Sequence, residues 1–206
     1  MEKSINRIDC FILAAGMSKR MGNENKLLKK INNNTILNQT LKNHIESKIH
    51  NVNLILGHQK DIILKHIEQN KIFIIENNNF KSGMLSSILK INENISKETT
   101  GILISLADMP FVTSEDINKL IKIFNENGQK IICIPENKEK LGNPLLLPKE
   151  IYKDLIKDVS KLSNDKGLKK LILDKKYNYI RVSLSEGVTK DFDTIEDFDT
   201  IEDFNL

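Results

Sequence analysis

Short apolar runs recur along this chain, and most are followed by a stretch whose apolar residues fall at helical spacing. That alternation limits the fold more than any other feature, because strands and helices taken in turn build βα units around a mostly parallel sheet. Strands are expected over residues 9–14, 52–56, 72–75, 101–105, 130–134 and 179–182. Helices are expected over residues 35–48, 61–69, 84–92, 114–127, 149–157 and 166–173, with a terminal one from Ile195. Thr113-Ser114-Glu115-Asp116 puts hydroxyl caps and carboxylates at a helix start, where free N–H groups and the helix dipole favour both. No stretch rich in Pro, Gly or Ser divides the sequence, so residues 1–206 read as a single α/β domain.

Hydrophobic residues make up 39% of the chain, enough for one sizeable core, while 29% are charged. The formal charge of +3 comes from lysines scattered among nearly as many acids. A nucleic-acid binder would carry a basic stripe or tail instead, so no such partner is expected. No apolar run approaches the ~18–20 residues needed to cross a bilayer. The opening MEKSINRID lacks the apolar stretch and cleavage site of a signal peptide, and the cytoplasm is the expected compartment. Cys10 and Cys133 fall in apolar runs and read as buried, reduced thiols. DFDTIEDF at residues 191–198 recurs at residues 197–204, a small tandem duplication that supplies two copies of one acidic motif.

Three segments carry chemistry. After the first strand comes LAAGMSKRMGNENK, residues 13–26. Small residues at Ala14, Ala15 and Gly16 let the backbone approach a ligand, and such a turn can present several N–H groups to phosphates. Ser18, Lys19, Arg20 and Lys26 add a hydroxyl and three cations, the dress of a triphosphate site. The spacing is neither that of a Walker loop nor that of the dinucleotide-binding fingerprint. A second apolar strand ends at Asp108 before Met109-Pro110-Phe111. Ligands of open α/β sheets collect at the carboxyl ends of strands, and a carboxylate there is well placed to hold Mg²⁺. The third segment, Asp191-Phe192-Asp193-Thr194, brings further carboxylates from the far end of the chain. His44, His50, His58 and His66 fall outside these segments and read as surface or helix-end residues.

With these motifs in this order, the chain resembles the MobA-like NTP transferases, and within that group the molybdenum cofactor cytidylyltransferases. LAAGMSKRMG with KLL from Lys26 looks like the nucleotide signature of the family. GMLSSI from Gly83 is similar to its segment near the nucleoside, and DMPF from Asp108 to its metal-binding strand end. GNP from Gly142 resembles a Gly-His-Pro stretch by the acceptor, NDKGLKKLI from Asn164 a Gly-Asp-x-Gly-Ala-Arg element, and DFDTIEDF the closing acidic motif. The resemblance implies a three-layer α/β/α fold around a Rossmann-like sheet of the nucleotide-diphospho-sugar-transferase type. It implies nucleotide contacts from Leu13, Ala14, Ala15, Gly16, Ser18 and Gly83, with Arg20 and Lys26 on the phosphates and Ser86 and Ser87 near the ribose. Asp108 and Asp193 would hold Mg²⁺, and Gly142, Asn143 and Pro144 would face the acceptor. Lys26, Arg20 and Asp108 are the implied catalytic set. Asn143 stands where the family has His, Asn164 where it has Gly, Lys169 where it has Arg, Asn33-Asn34 where it has Gly-Lys, and Ile195 where it has Pro.

The implied reaction is transfer of CMP from CTP to the terminal phosphate of molybdopterin, with release of pyrophosphate. A phosphate monoester is already anionic at neutral pH and needs no general base. Rival readings are a guanylyl, sugar-phosphate or isoprenoid-phosphate transferase, and a non-catalytic chaperone that delivers cofactor to a molybdenum hydroxylase apoenzyme.

Overall fold

A computed structural model describes residues 7–17, 25–31, 33–67, 71–157 and 167–192. Ser18, Lys19, Arg20, Asn164, Asp193, Asp199 and the expected terminal helix lie outside these residues.

The first expected strand is β1, Ile8–Ala14. Its side chains alternate between two apolar clusters, Cys10, Ile12 and Ala14 facing one and Phe11 the other, which Ala15 joins just past the strand. A strand buried on both faces must sit mid-sheet. After a short hairpin of β2 (Lys30–Ile31) and β3 (Asn34–Thr35), helix α1 spans Ile36–Ile45. Next come β4 (Asn51–Leu56), α2 (Lys60–Leu64), β5 (Ile72–Glu76), α3 (Met84–Glu93), β6 (Gly101–Leu106) and α4 (Ser114–Glu126). The remaining elements are β7 (Ile132–Asn137), β8 (Lys140–Leu141), β9 (Leu145–Pro148), α5 (Lys149–Lys157), α6 (Leu168–Asp174) and β10 (Tyr179–Ser183).

Among the described residues, one eight-stranded sheet runs in the order β10-β7-β9-β6-β1-β4-β5, with β8 paired to β7. β1 is parallel to both β4 and β6, β4 to β5, and β7 to β10, whereas β9 is antiparallel to β6 and β7. Helices α1, α2 and α4 contribute to the cluster on one face, and α3, α5 and α6 to that on the other. The result is the expected three-layer α/β/α arrangement. No helix of the described residues is long and apolar enough to cross a membrane. Cys10 and Cys133 are buried free thiols, as expected. Burial pushes Cys10 well above the ordinary thiol range, with Asp9 adding to the effect, and pushes Cys133 up to about 12.

Three differences from the sequence reading have physical reasons. β9 was not expected, because prolines flank its three leucines and four residues give no readable period, yet it is buried between β6 and β7. β7 begins two residues late and runs through Pro135, whose missing N–H argues against a strand. The Pro135 carbonyl still accepts from Gly142 N at 2.7 Å. Helix α2 is short, closing with tight bonds from Lys65 N to Ile62 O (3.2 Å) and His66 N to Ile63 O (2.9 Å).

Candidate active site

Strand order reverses at β1, since β4 and β5 extend the sheet on one side and β6 on the other. A crevice forms outside the carboxyl ends of the strands at such a switch point. The register pairs Leu13 with Leu106, so the loops leaving β1 and β6 start level with one another. Ala107 N donates to Leu13 O at 3.2 Å, closing the base of the crevice. Ala14 and Ala15 are buried at this end, and Gly16 is exposed beyond them.

Lys26 reaches the crevice from a 3-10 turn, Lys26–Leu28. Two anchors hold that turn. Leu27 is buried, and its N–H donates to Asn25 Oδ1 at 3.0 Å, while Asn25 Nδ2 donates to Gln59 Oε1 at 3.0 Å. From there Lys26 Nζ donates to Asp108 Oδ2 at 2.5 Å, and each side chain is 15% exposed. The cation of the first motif and the carboxylate of the second, 82 residues apart in sequence, therefore share one point.

Asp108 follows β6 on a loop pinned by the burial of Ala107, Met109, Phe111 and Val112. The far end of the chain arrives here as well. Phe192 N donates to Asp108 O at 3.2 Å, and the Phe192 ring packs 5.4 Å from that of Phe111. Asp191 is exposed beside it. Among the described residues no group of three His, Cys, Asp or Glu side chains is placed to hold a metal. Asp108 offers only oxygen donors. That suits an ion such as Mg²⁺, which takes one or two carboxylates and completes its shell with substrate phosphates and water.

The chain matches a family model, the MobA-like NTP transferase domain, over residues 10–179. It belongs to that family. It is a nucleotidyltransferase. Of the curated proteins, the molybdenum cofactor cytidylyltransferase of Escherichia coli strain K12 is 27% identical over 146 residues, 70% of this chain and 72% of that protein. Among solved structures, a homolog of Mycobacterium tuberculosis rv0371c from Mycobacterium sp. strain JC1 superposes with a TM-score of 0.81 at 24% identity, covering 95% of this chain and 94% of the other. A manganese complex of Rv0371C from Mycobacterium tuberculosis superposes with a TM-score of 0.77 at 19% identity, covering 97% and 99%. At these identities the two structures speak to the fold.

In this MobA-like transferase, Gly83, Ser86 and Ser87 lie on the same rim, at the start of α3. Gly83 has φ 84°, which favours glycine. Ser86 Oγ donates to Gly83 O at 2.8 Å, and both serine hydroxyls accept from Asn77 Nδ2, at 2.8 and 3.0 Å. Asn77 is wholly buried at the end of β5 and was missed in the sequence, where it sits in an Asn-rich stretch. Of the four histidines read as surface or helix-end residues, His44 is fully buried near the end of α1, and His58 is partly buried beside the first loop. His58 follows β4, its N–H donates to Ala15 O at 3.4 Å and its ring packs 5.9 Å from that of Phe80. A strand end next to β1 in a parallel sheet was the signal that pointed there.

Gly142, Asn143 and Pro144 precede β9, whose start lies beside the end of β6 because Leu145 pairs with Ile104. The Asn143–Pro144 peptide is cis. Asn143 N donates to Val188 O at 2.8 Å, and a Cβ on Gly142 would stand 2.0 Å from that same oxygen. Lys169 Nζ donates to Leu141 O at 2.9 Å. Burial pulls the Lys169 ammonium below its ordinary range, and the negative charge of Asp191 partly offsets this.

Proposed function

We propose that this enzyme transfers CMP from CTP to the terminal phosphate of molybdopterin and releases pyrophosphate. The observation that carries the reading is the contact between Lys26 and Asp108 at the switch point, a cation and an oxygen ligand converging where a triphosphate would lie. The 27% identity to a molybdenum cofactor cytidylyltransferase supports CTP and molybdopterin as substrates.

An oxygen of the acceptor phosphate attacks the α-phosphorus in line, a new P–O bond forms, and the bond to the β-phosphate bridging oxygen breaks. The second ionisation of a phosphate monoester lies near ~6, so the nucleophile is already deprotonated at neutral pH. Lys26 would orient the triphosphate and neutralise charge developing on the leaving pyrophosphate. Arg20 and Ser18, outside the described residues, would add to this cradle, as would the N–H groups that follow Leu13, Ala14, Ala15 and Gly16. Asp108, with Asp193 beyond Phe192, would hold a divalent cation, which lends charge neutralisation to the phosphate oxygens when bound. Gly83, Ser86 and Ser87 would border the nucleoside, and Gly142, Asn143 and Pro144 the acceptor. Asn143 and Lys169, in place of the family's His and Arg, favour a second reading in which the acceptor is a different phosphorylated molecule.

Thermal unfolding with Mg²⁺ and each of CTP, GTP, UTP and ATP tests the nucleotide. A ligand at 100 times its Kd adds ~2.7 kcal/mol, or several degrees in Tm for a domain of this size. A shift confined to CTP, followed by pyrophosphate release with molybdopterin, is the expected result. A GTP or UTP preference would refute the cytidylyl assignment. Asp108→Ala and Lys26→Ala should each lose more than ~100-fold in turnover, and near-wild-type activity would remove that residue from the mechanism.

A further inference from the structure

We infer that Asn43 and Thr40 on helix α1 are positioning residues for the transfer, holding the Asp108 loop in register with the Lys26 turn. The inference rests on the nucleotidyl-transfer reading above. Its starting point is an oddity of α1: Thr40, Asn43 and His44 lie at i, i+3 and i+4, so they share one face, and that face is turned inward. Thr40 and His44 are fully buried and Asn43 is 8% exposed. Buried polar groups are costly unless hydrogen-bonded, so the partners they reach are informative.

Two of these side chains reach the carbonyls of the loop that carries Asp108. Asn43 Nδ2 uses both protons, donating to Pro110 O at 2.9 Å and Val112 O at 2.8 Å. Thr40 Oγ1 lies 3.1 Å from Ala107 O and 3.0 Å from Ile36 O in its own helix. The acceptors bracket Asp108 on both sides, and the carbonyl of Asp108 itself is taken by Phe192 N. One helix face thus fixes the path of residues 107–112 from behind while the carboxylate points forward to Lys26.

The same helix is tied to the other partner. Asn43 Oδ1 accepts from Gln39 Nε2 at 3.0 Å, and Gln39 Oε1 accepts from Asn34 Nδ2 at 3.1 Å. Asn34 lies in β3, opposite Ile31 of the hairpin that follows the Lys26 turn, and Ile36 N donates to Lys29 O at 2.9 Å. An unbroken run of amides therefore connects the segment after Lys26 to the loop around Asp108. Groups behind a ligand commonly matter about 10–100-fold in metal affinity or activity.

The test uses the full chain as wild type, Asn43→Leu, Thr40→Val, Thr40→Ser, Asp108→Asn and the Asp108→Asn/Asn43→Leu double variant. Calorimetry measures binding of the Mg²⁺ complex of whichever of CTP, GTP, UTP and ATP binds the wild type. Unfolding without ligand is followed in parallel. Asn43→Leu and Thr40→Val should weaken binding about tenfold or more, while Thr40→Ser, which keeps the hydroxyl, stays near wild type. In the Asp108→Asn background, Asn43→Leu should weaken binding no further, because it acts through the carboxylate already lost. Lower Tm with unchanged affinity would make the contacts merely structural and overturn the inference. If Asn43→Leu does not fold, Thr40→Val against Thr40→Ser decides alone. A wild type that binds none of the four nucleotides overturns the transferase reading itself, and the inference with it.

Discussion

Lowering the pH should destabilise this protein through His44. The ring is buried between α1 and β6, with Nδ1 donating to Thr40 O at 2.7 Å and Nε2 accepting from Ser105 Oγ at 2.9 Å. Both nitrogens are satisfied in the neutral form. A second ring proton would turn a donor toward a hydroxyl already donating to it. Burial pulls the imidazole down from 6.5 to about 4, and the bond to the Thr40 carbonyl only partly opposes this. Between those values the unfolded chain carries the proton and the folded chain does not, so stability rises with pH there. The contribution is whole above the unfolded value and is lost as pH falls toward the folded one. Across the full window it amounts to about 3 kcal/mol, and between about pH 7 and pH 5 to about 2 kcal/mol. That is a large fraction of the ~5–15 kcal/mol that holds a typical domain folded. Urea unfolding of the wild type and of His44→Gln at both pH values isolates it, because other titrating groups act equally on both proteins. The wild type should lose about 2 kcal/mol more than the variant. Parallel losses would refute the reasoning.

Gly142→Ala would drive a methyl into the Val188 carbonyl, so the loop proposed to face the acceptor must shift. Steady-state kinetics should show a higher KM for the acceptor with nucleotide affinity retained, and equal losses in both would disprove the separation. Asp116 caps α4 through Thr113 and accepts from Ser185 N (3.0 Å) and Ser185 Oγ (2.6 Å). Asp116→Ala should cost about 2–3 kcal/mol in chemical unfolding. Asp193→Ala should abolish Mg²⁺-dependent pyrophosphate release while Asp199→Ala keeps it, and the reverse pattern would move the proposed metal ligand into the second copy of the motif.

The central parallel strands were legible because β-branched and leucine-rich runs such as Ile8–Ala14 have no other comfortable home than a sheet covered on both faces. Lys26 and Asp108 could be singled out because a strand-end loop is where a polar residue interrupts such a run, and the structure brings the two together. The support behind them was not legible. Thr40, Asn43 and His44 have the spacing of a solvated helix face, and only packing against β6 and its loop reveals that they point inward. Asn77 was hidden by composition, one polar residue among many of its kind, and Asn34 stood out only as a departure from the family pattern. The two-residue strands and the proline-bracketed β9 were too short to carry a period.

β9 has one further implication. Among the described strands, β7, β8 and β10 join the rest of the sheet only through the residues of Leu145–Pro148. The loops proposed to hold the triphosphate leave β1, β4, β5 and β6, on the other side of that single strand. Backbone pairing between the outer strands and the inner half therefore runs through four residues, reinforced by α4 packed on β7, by Asp116 bonded to Ser185, and by the segment from Leu184 to Phe192. If the proposed assignment of Gly142, Asn143 and Pro144 to the acceptor holds, substitutions beyond β9 would change what is accepted before they change what is donated.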